Sequence, residues 1–517
     1  MNRRITVKFL GGIAHAKYLT GSCIYIEIRK KKQTTCGLID AGMHQGPFEE
    51  SARINRDLKI DAKTLDFIII THSHTDHSGR LPLFYKMGFR GKVFCTIPNN
   101  DLMEVMLQDT FKILQNNSRN RRRRNNHDAK EENSHKKFSR KSKDRFREKR
   151  GKPSSPRSFR EPLFSFEDLT ASLGLVKNGG FDYQEWILID KGIDLKFYPS
   201  GHVLGGAICV LKIDADKPTS KPIYIGFSGD LGRKDGIILP PPEIIREPID
   251  HWCIESTYGG KTHPPREEEI GIFLDVIREA VKKKGKVIIP SFAFERTQEI
   301  IYLASYYMKN GLIPAMAIYL DAPLAKKITE VFKYYWKSKM FKDQDMLDFN
   351  PFDPAENPYL KIIESEEESD ILTQKPGPYI VTAGSGMGDF GRIRNHLMAG
   401  LNNENNCVCI IGFMTQGTLG EKLRSGFPLV KINDHEIQVR ASVAIFRSFS
   451  AHSDDPYLTE YTTAVINQDK PDKKTICIVH GNEKSGLCLK KSLIDSLGEK
   501  WSSRILIPGL NEVIRLN

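Results

Sequence analysis

Cysteine is scarce in this 517-residue chain: nine in all, an odd number, scattered singly except for Cys407 and Cys409, and nowhere spaced CxxC. That excludes a cysteine zinc ribbon and supplies no disulfide framework, so the thiols read as reduced and the protein as cytoplasmic. Cys407 and Cys409 stand in an apolar strand-like segment, where alternate side chains share a face. No apolar run reaches the roughly 18 to 20 residues needed to cross a bilayer. The opening MNRRITVKFLGG has basic residues but too short a hydrophobic stretch for a secretory leader. No internal repeat is present. With 39% apolar and 27% charged residues the composition is that of a folded globular protein, and the length predicts two domains or more.

Aliphatic residues are nearly missing from one segment. Residues 121–150 hold 14 Lys and Arg against 5 Asp and Glu, +9 of the chain's net +13, leaving +4 for the rest. Such a stretch cannot build a core. It reads as a disordered basic insertion, spanning about 117–160, within a folded domain. Its role is either that of a solvated loop or that of an arm attracting phosphate backbones. The apolar anchors of a membrane-surface helix are missing.

What is present has a clear rhythm. The first hundred residues are β-rich, with ITVKFLGG, SCIYIEIR, TCGLIDAG, LDFIIITH and GKVFCTI as short apolar or alternating runs. A helix is predicted over 101–114, leading into the basic segment, and another over 165–174, capped by Ser165 and stopped by Gly174. Strands DLKFYPSGH, AICVLKI and IYIGFSGD follow. Beyond residue 258 strands alternate with helices, beginning with PPREEEIGIFLDVIREAVKKKG, whose Ile270, Phe273, Leu274 and Ile277 mark one face. Alternation of this kind implies a mostly parallel α/β sheet. Near the end, VRASVAIFRSFSAHSDD and KTICIVHG are predicted to return as strands ending at histidine.

Several strand-like runs finish on a possible metal ligand: Asp40, the cluster THSHTDH at 71–77, His202, Asp230 and His480. If those ends converge, His72, His74, His202 and Asp230 form one site. Asp76, His77, His480 and Asp230 form a second, with Asp230 bridging. Imidazole and carboxylate without thiolate suit Zn²⁺, with Mn²⁺ or Fe²⁺ as alternatives. His15, His44, His251, His263 and His396 read as surface or core histidines.

HSHTDH resembles the HxHxDH signature of the metallo-β-lactamase superfamily. IESTYGG (254–260) resembles motif A of its β-CASP branch, FSAHSDD motif B and IVHG motif C; PSFAFERTQE, TAGSGMGDFGR and GFMTQGTLGEKL are similar to further segments of that branch. The resemblance spans about Leu10 to His480, outside 117–160, and points to ribonucleases akin to the pre-mRNA 3′-end cleavage endonuclease. It implies an αββα sandwich, in residues 1–259 and 441–517, interrupted by an α/β domain at 260–440. It also implies two zinc ions per chain, with Asp40 holding ligand histidines by hydrogen bonds. A hydroxide bridging two cations about 3.5 to 4 Å apart would attack an RNA phosphodiester. Asp76 counts among the catalytic groups as well as the ligands. His452, kept protonated by Glu255, would protonate the leaving oxygen. The products would carry 5′-phosphate and 3′-hydroxyl ends, in RNA processing or decay. Arg296, Ser385, Gly386 and Gly388 are the expected phosphate contacts on a single-stranded RNA substrate. A homodimer, and endo- against exonucleolytic action, stay open. The competing readings are a DNA nuclease of the same superfamily, a non-catalytic RNA-binding scaffold, and a small-molecule hydrolase.

Overall fold

A computed structural model describes the chain except residues 1, 2, 14–20, 31, 32, 47, 139–161, 216–220, 343, 413, 468, 470 and 517, and describes no side chain between 120 and 161. His15 and the latter part of the basic segment therefore lie outside the described residues.

Period-2 alternation builds the first domain. In the strand Arg4–Gly11, Ile5, Val7 and Phe9 are fully buried while Arg4 is exposed and Thr6 and Lys8 are half-buried. Such a strand must bury one face against another layer. It does so in a six-stranded sheet ordered Val513–Leu516, Arg4–Gly11, Cys23–Lys30, Gln33–Ile39, Phe67–Ile69 and Lys92–Phe94. The inner face packs on a seven-stranded sheet through Val7, Ile26, Phe197, Leu211 and Phe227. The second sheet runs Ile505–Leu506, Thr475–Val479, His251–Glu255, Ile223–Phe227, Ala207–Ile213, Ile193–Pro199 and Ile187–Asp190. Helices cover both outer faces: Leu81–Lys86 and Phe166–Leu173 on one side, Asp455–Val465 and Glu483–Leu497 on the other. The layering is αββα. Each sheet is antiparallel on one side and parallel on the other. Most of the ligand-bearing loops leave strands of the parallel halves at their C-terminal ends, where open α/β sheets form clefts; the loop of His202 instead follows Ile193–Pro199, which is antiparallel to both its neighbours.

The inserted domain is a six-stranded, wholly parallel sheet in the order Leu360–Ile362, Ile318–Leu320, Tyr379–Ala383, Lys286–Pro290, Cys407–Ile410 and Ser442–Ile445. Its strands are apolar on both faces because helices lie on both. Helices Arg266–Lys282, Arg296–Lys309 and Pro323–Tyr335 cover one face; Glu366–Gln374, Ile393–Gly400 and Leu419–Arg424 cover the other. In the first of these, Phe273, Leu274 and Ile277 are buried on the expected face and Ile270 is half-buried. Its core is continuous with Leu102, Val203, Leu204 and Ile237–Leu239 of the first domain, so the two lobes share apolar packing.

Three features differ from the sequence reading. Ser442–Ile445 belongs to the inserted sheet, so the chain returns to the first domain after Ile445 rather than after residue 440. The same strand stops well short of His452, which sits on an irregular crossing segment. The helix expected over 101–114 runs from Ile97 to Phe138, into the basic segment that composition marked as irregular. The reason is that Arg, Lys, Glu and Ala are good helix formers even where no apolar face exists to bury. The helix at 166–173 keeps its expected start: Ser165 and Asp168 exchange a capping box, and Gly174 closes it.

Candidate metal centre

The strand Phe67–Ile69 ends at a turn that presents His72 and His74, and the short helix Thr75–Ser78 adds Asp76 and His77. His202 follows the strand Ile193–Pro199, Asp230 follows Ile223–Phe227, Glu255 ends His251–Glu255, and His480 follows Thr475–Val479. The fold brings all of these to one place. Donor atoms of His72, His74, His202 and Asp230 lie within 4.8 Å of one another, and those of Asp76, His77 and His480 do the same.

Asp230 stands between the two sets with one oxygen turned to each. Its Oδ2 is 3.6 Å from Nε2 of both His72 and His202. Its Oδ1 is 3.3 Å from His77 Nε2 and 3.1 Å from His480 Nδ1. Burial pushes the pKa of His72 and His202 well down and that of His74 to about 4, which keeps these rings neutral, the form that coordinates metal. Burial would raise the carboxyls of Asp230 and Asp76, but the surrounding imidazoles hold both well below the usual carboxylate range.

His77 is fixed from behind. Asp40 Oδ2 accepts from His77 Nδ1 at 2.7 Å and from Ser22 Oγ at 3.0 Å, while Asp40 Oδ1 accepts from the Thr71 amide at 2.8 Å. Asp40 thereby takes the Nδ1–H and turns His77 Nε2 towards Asp230. Burial would lower the pKa of His77 and of His480, but the carboxylates beside them, Asp230 foremost, raise both, so a cation at this set would displace protons.

Whether these residues fit a metal can be judged from what they lack. His77 Nε2, both ring nitrogens of His202, His480 Nε2 and Asp230 Oδ1 are buried without a hydrogen-bond partner. Buried polar atoms are rarely left so, and these converge. His72 Nε2 and His74 Nδ1 also stand 3.0 Å apart, two nitrogens facing each other. Cations answer both facts. All nine cysteines are free and none belongs to either set, so the donors are nitrogen and oxygen alone, as zinc accepts.

His452 is more exposed than the five innermost candidate ligands, although His74 and Asp76 are also partly exposed. The His452 side chain is 22% exposed, whereas those of His72, His77, His202, His480 and Asp230 are at most 4%. Its Nδ1 is 3.2 Å from Glu255 Oε1, and Glu255 in turn accepts from the Leu231 amide at 2.9 Å. Burial alone would lower the His452 pKa; the Glu255 carboxylate, then Asp230 and Asp76, raise it to about 9.

The expected phosphate contacts lie differently. Arg296 is 6% exposed, and its guanidinium donates to the Phe449 carbonyl at 2.5 Å and pairs with Glu299. It serves the protein interior and is corrected here as a contact to substrate. Gly386 lies under the Phe292 ring, which a side chain would strike, and Gly388 has φ +79°, which glycine alone adopts easily. Packing explains Gly386, and the backbone conformation explains Gly388. Ser385 stays half-exposed at the end of Tyr379–Ala383, its Oγ accepting from the Phe390 amide at 3.3 Å.

Two supports were not legible beforehand. His263 Nε2 donates to the His452 carbonyl at 3.0 Å, its ring 4.5 Å from that of Tyr258. Phe294 of the inserted domain meets the His74 ring edge-on at 5.1 Å. No spacing rule marks either. Of the other histidines, His396 pairs with Asp321 at 2.7 Å in the inserted domain, and His44 and His251 are buried in the first.

The family model of the metallo-beta-lactamase superfamily matches residues 17–86, and that of the Beta-Casp domain matches 297–423. Ribonuclease TTHA0252 of Thermus thermophilus is 32% identical over 461 residues, 88% of this chain and 90% of that one. An RNase J-like protein of Methanocaldococcus jannaschii is 26% identical, covering 95% of this chain and 96% of its own. Cleavage and polyadenylation specificity factor subunit 3 of Dictyostelium discoideum is 26% identical over 91% of this chain, which spans 53% of it. No described helix is long and apolar enough to cross a membrane.

Proposed function

Because this chain belongs to the β-CASP family of the metallo-β-lactamase superfamily, at 32% identity to a relative named a ribonuclease, we propose that it is a metal-dependent ribonuclease acting on single-stranded RNA. The observation that carries this reading is Asp230, which turns one oxygen to each of two largely buried donor sets, several of whose atoms have no hydrogen-bond partner. His72, His74, His202 and Asp230 would hold one ion, and Asp76, His77, His480 and Asp230 the other. Two zinc ions suit these donors, with Mn²⁺ as the alternative. When bound, the ions acidify water and neutralise charge on the phosphoryl oxygens.

The chain's own groups do the remainder. Neutral His72, His74 and His202 offer nitrogen lone pairs without a competing proton. Asp40 sets the His77 tautomer. His452, whose pKa the Glu255 carboxylate raises, would give one N–H to Glu255 and have the other for the leaving oxygen. Glu255 is anchored by the Leu231 and Thr257 amides, so it orients the ring without moving. Protonation of that oxygen leaves a 3′-hydroxyl on one product and a 5′-phosphate on the other. Phe294 roofs His74 and excludes water from that side. Ser385, at the open end of the parallel sheet, is the phosphate contact retained.

The test is digestion of end-labelled RNA and a matched DNA strand by zinc-loaded wild type and His452→Ala. The expected result is about two zinc ions per chain, preferential RNA cleavage to 5′-phosphate ends, and a loss of about 10² to 10⁴-fold in the mutant. Internal fragments against mononucleotides separate endonuclease from exonuclease. Preferential cutting of DNA, or a zinc-loaded protein inert on RNA, overturns the proposal.

A further inference from the structure

The loop that carries His452 has no secondary structure of its own to hold it. It is the segment by which the chain crosses back from the inserted strand Ser442–Ile445 to the first domain. Ser448 is fully buried and Phe449 is 1% exposed, so their peptide groups must find partners within the protein.

Those partners are charged side chains from three separate elements. Glu269, in the first turn of the helix Arg266–Lys282, accepts from the Arg447 amide at 3.0 Å and from the Ser448 amide at 2.6 Å. Arg233, three residues beyond Asp230, donates Nη1 to the Ser448 carbonyl at 2.9 Å. Arg296, the first residue of the helix Arg296–Lys309, donates Nη1 to the Phe449 carbonyl at 2.5 Å. Each guanidinium is oriented in turn, Arg233 by two bonds of 2.6 and 2.7 Å to Asp235, and Arg296 by Glu299. Charge-assisted bonds of this kind are about twice as strong as neutral ones. On its far side the loop is tied to the first domain. Ser453 N donates to Leu231 O at 2.8 Å, and Gly232 forms a β-bridge with His452.

Glu295, beside Arg296, adds a second link. It is 1% exposed, holds the left-handed φ of +70°, and accepts from the Leu204 amide at 3.1 Å, two residues past His202. Adjacent residues of the inserted domain thus reach the loop of a metal ligand and the loop of His452.

We propose that Glu269, Arg296 and Arg233 are positioning residues that clamp the 447–449 backbone, so that the seating of the inserted domain sets the alignment of His452 with the scissile bond. The proposal rests on His452 as proton donor. Its logic is geometric: misplacing a reacting group by 1 Å can cost about 10²-fold in rate. The outward and return crossings of the chain meet at this clamp, which is where a tilt of one lobe on the other would be felt.

The test compares wild type, Glu269→Gln, Arg296→Lys and His452→Ala on two substrates. One is RNA, whose leaving alkoxide needs a proton. The other is bis(p-nitrophenyl) phosphate, whose leaving phenolate does not. Zinc content and melting temperature are measured alongside. Glu269→Gln and Arg296→Lys are expected to lose about 10- to 100-fold in kcat on RNA and at most about twofold on the activated ester, with zinc content unchanged. In the double variant with His452→Ala the clamp substitution adds nothing further, because both act through one group. Equal losses on both substrates, or full additivity with His452→Ala, overturn the clamp. If His452→Ala itself loses both activities equally, the donor reading fails and the clamp with it; a selective His452→Ala beside unselective clamp variants sinks the clamp alone.

Discussion

Asp40→Asn is an almost isosteric change with a large expected consequence. The carboxylate accepts from His77 Nδ1, Ser22 Oγ and the Thr71 amide, at 2.7, 3.0 and 2.8 Å. Asparagine retains one oxygen, which the Thr71 amide keeps. Its NH₂ group then faces His77 Nδ1 and can only donate. The imidazole must respond by taking its proton on Nε2, the atom 3.3 Å from Asp230 Oδ1, where a lone pair is needed. Losing a group that orients a metal-bound histidine costs about 10- to 100-fold in metal affinity, which is about 1.4 to 2.8 kcal/mol. The loss should fall on the ion that Asp76, His77 and His480 are proposed to hold and spare the one proposed for His72, His74 and His202. Zinc titration against a chelator of matched affinity reads the two sites separately, and RNA cleavage should fall in step with the weaker one. Two sites of unchanged affinity in Asp40→Asn would refute the role given to this residue.

Three other outcomes are expected. Gly42→Ala places a methyl group against the Asp76 carbonyl, so it should displace the ligand helix Thr75–Ser78 and lower both zinc content and melting temperature. Burial, then the charge of Arg233, pushes the His263 pKa down from 6.5 to about 4. Between those values the folded state binds fewer protons than the unfolded one, so this contribution is complete above 6.5 and fades as the pH falls towards 4. His263→Gln should flatten the dependence of melting temperature on pH in that window, and an unaltered slope would contradict it. Deleting residues 121–150, which carry +9 of the net charge, should weaken RNA binding and reduce its salt slope by about 0.7 for each phosphate no longer neutralised. Hydrolysis of bis(p-nitrophenyl) phosphate should not change; equal RNA affinity across a salt titration would exclude an arm.

The convergence of the candidate metal centre was legible because its chemistry is local. A dense HSHTDH cluster directly after an apolar strand, and single donors after four other strands, leave little else for the residues to do. The layers were legible for a similar reason, since alternating burial along Arg4–Gly11 and the strand–helix rhythm after residue 258 are properties of neighbouring residues. What could not be read depends on partners far away in sequence. Arg296 stands in a motif-like segment and suggested a phosphate, yet its partner is a carbonyl 153 positions on. His263 looked ordinary until His452 was found beside it. The glycines of GSGMG were ambiguous between ligand approach and turn geometry, and the Phe292 ring decides for packing at Gly386. The basic segment was judged by its missing core, although helix propensity needs none.

The strand Val513–Leu516 has one further consequence. It pairs antiparallel with Arg4–Gly11, so the outermost ladder of the first sheet joins the two extremes of the described chain. During synthesis, the strand Arg4–Gly11 therefore keeps that edge unpaired until Val513–Leu516 is made, after a whole second lobe. His452 and His480 emerge late in that interval. A chain ending before them would lack both the proposed proton donor and one proposed metal ligand. The candidate site can assemble only once the chain has been made through His480.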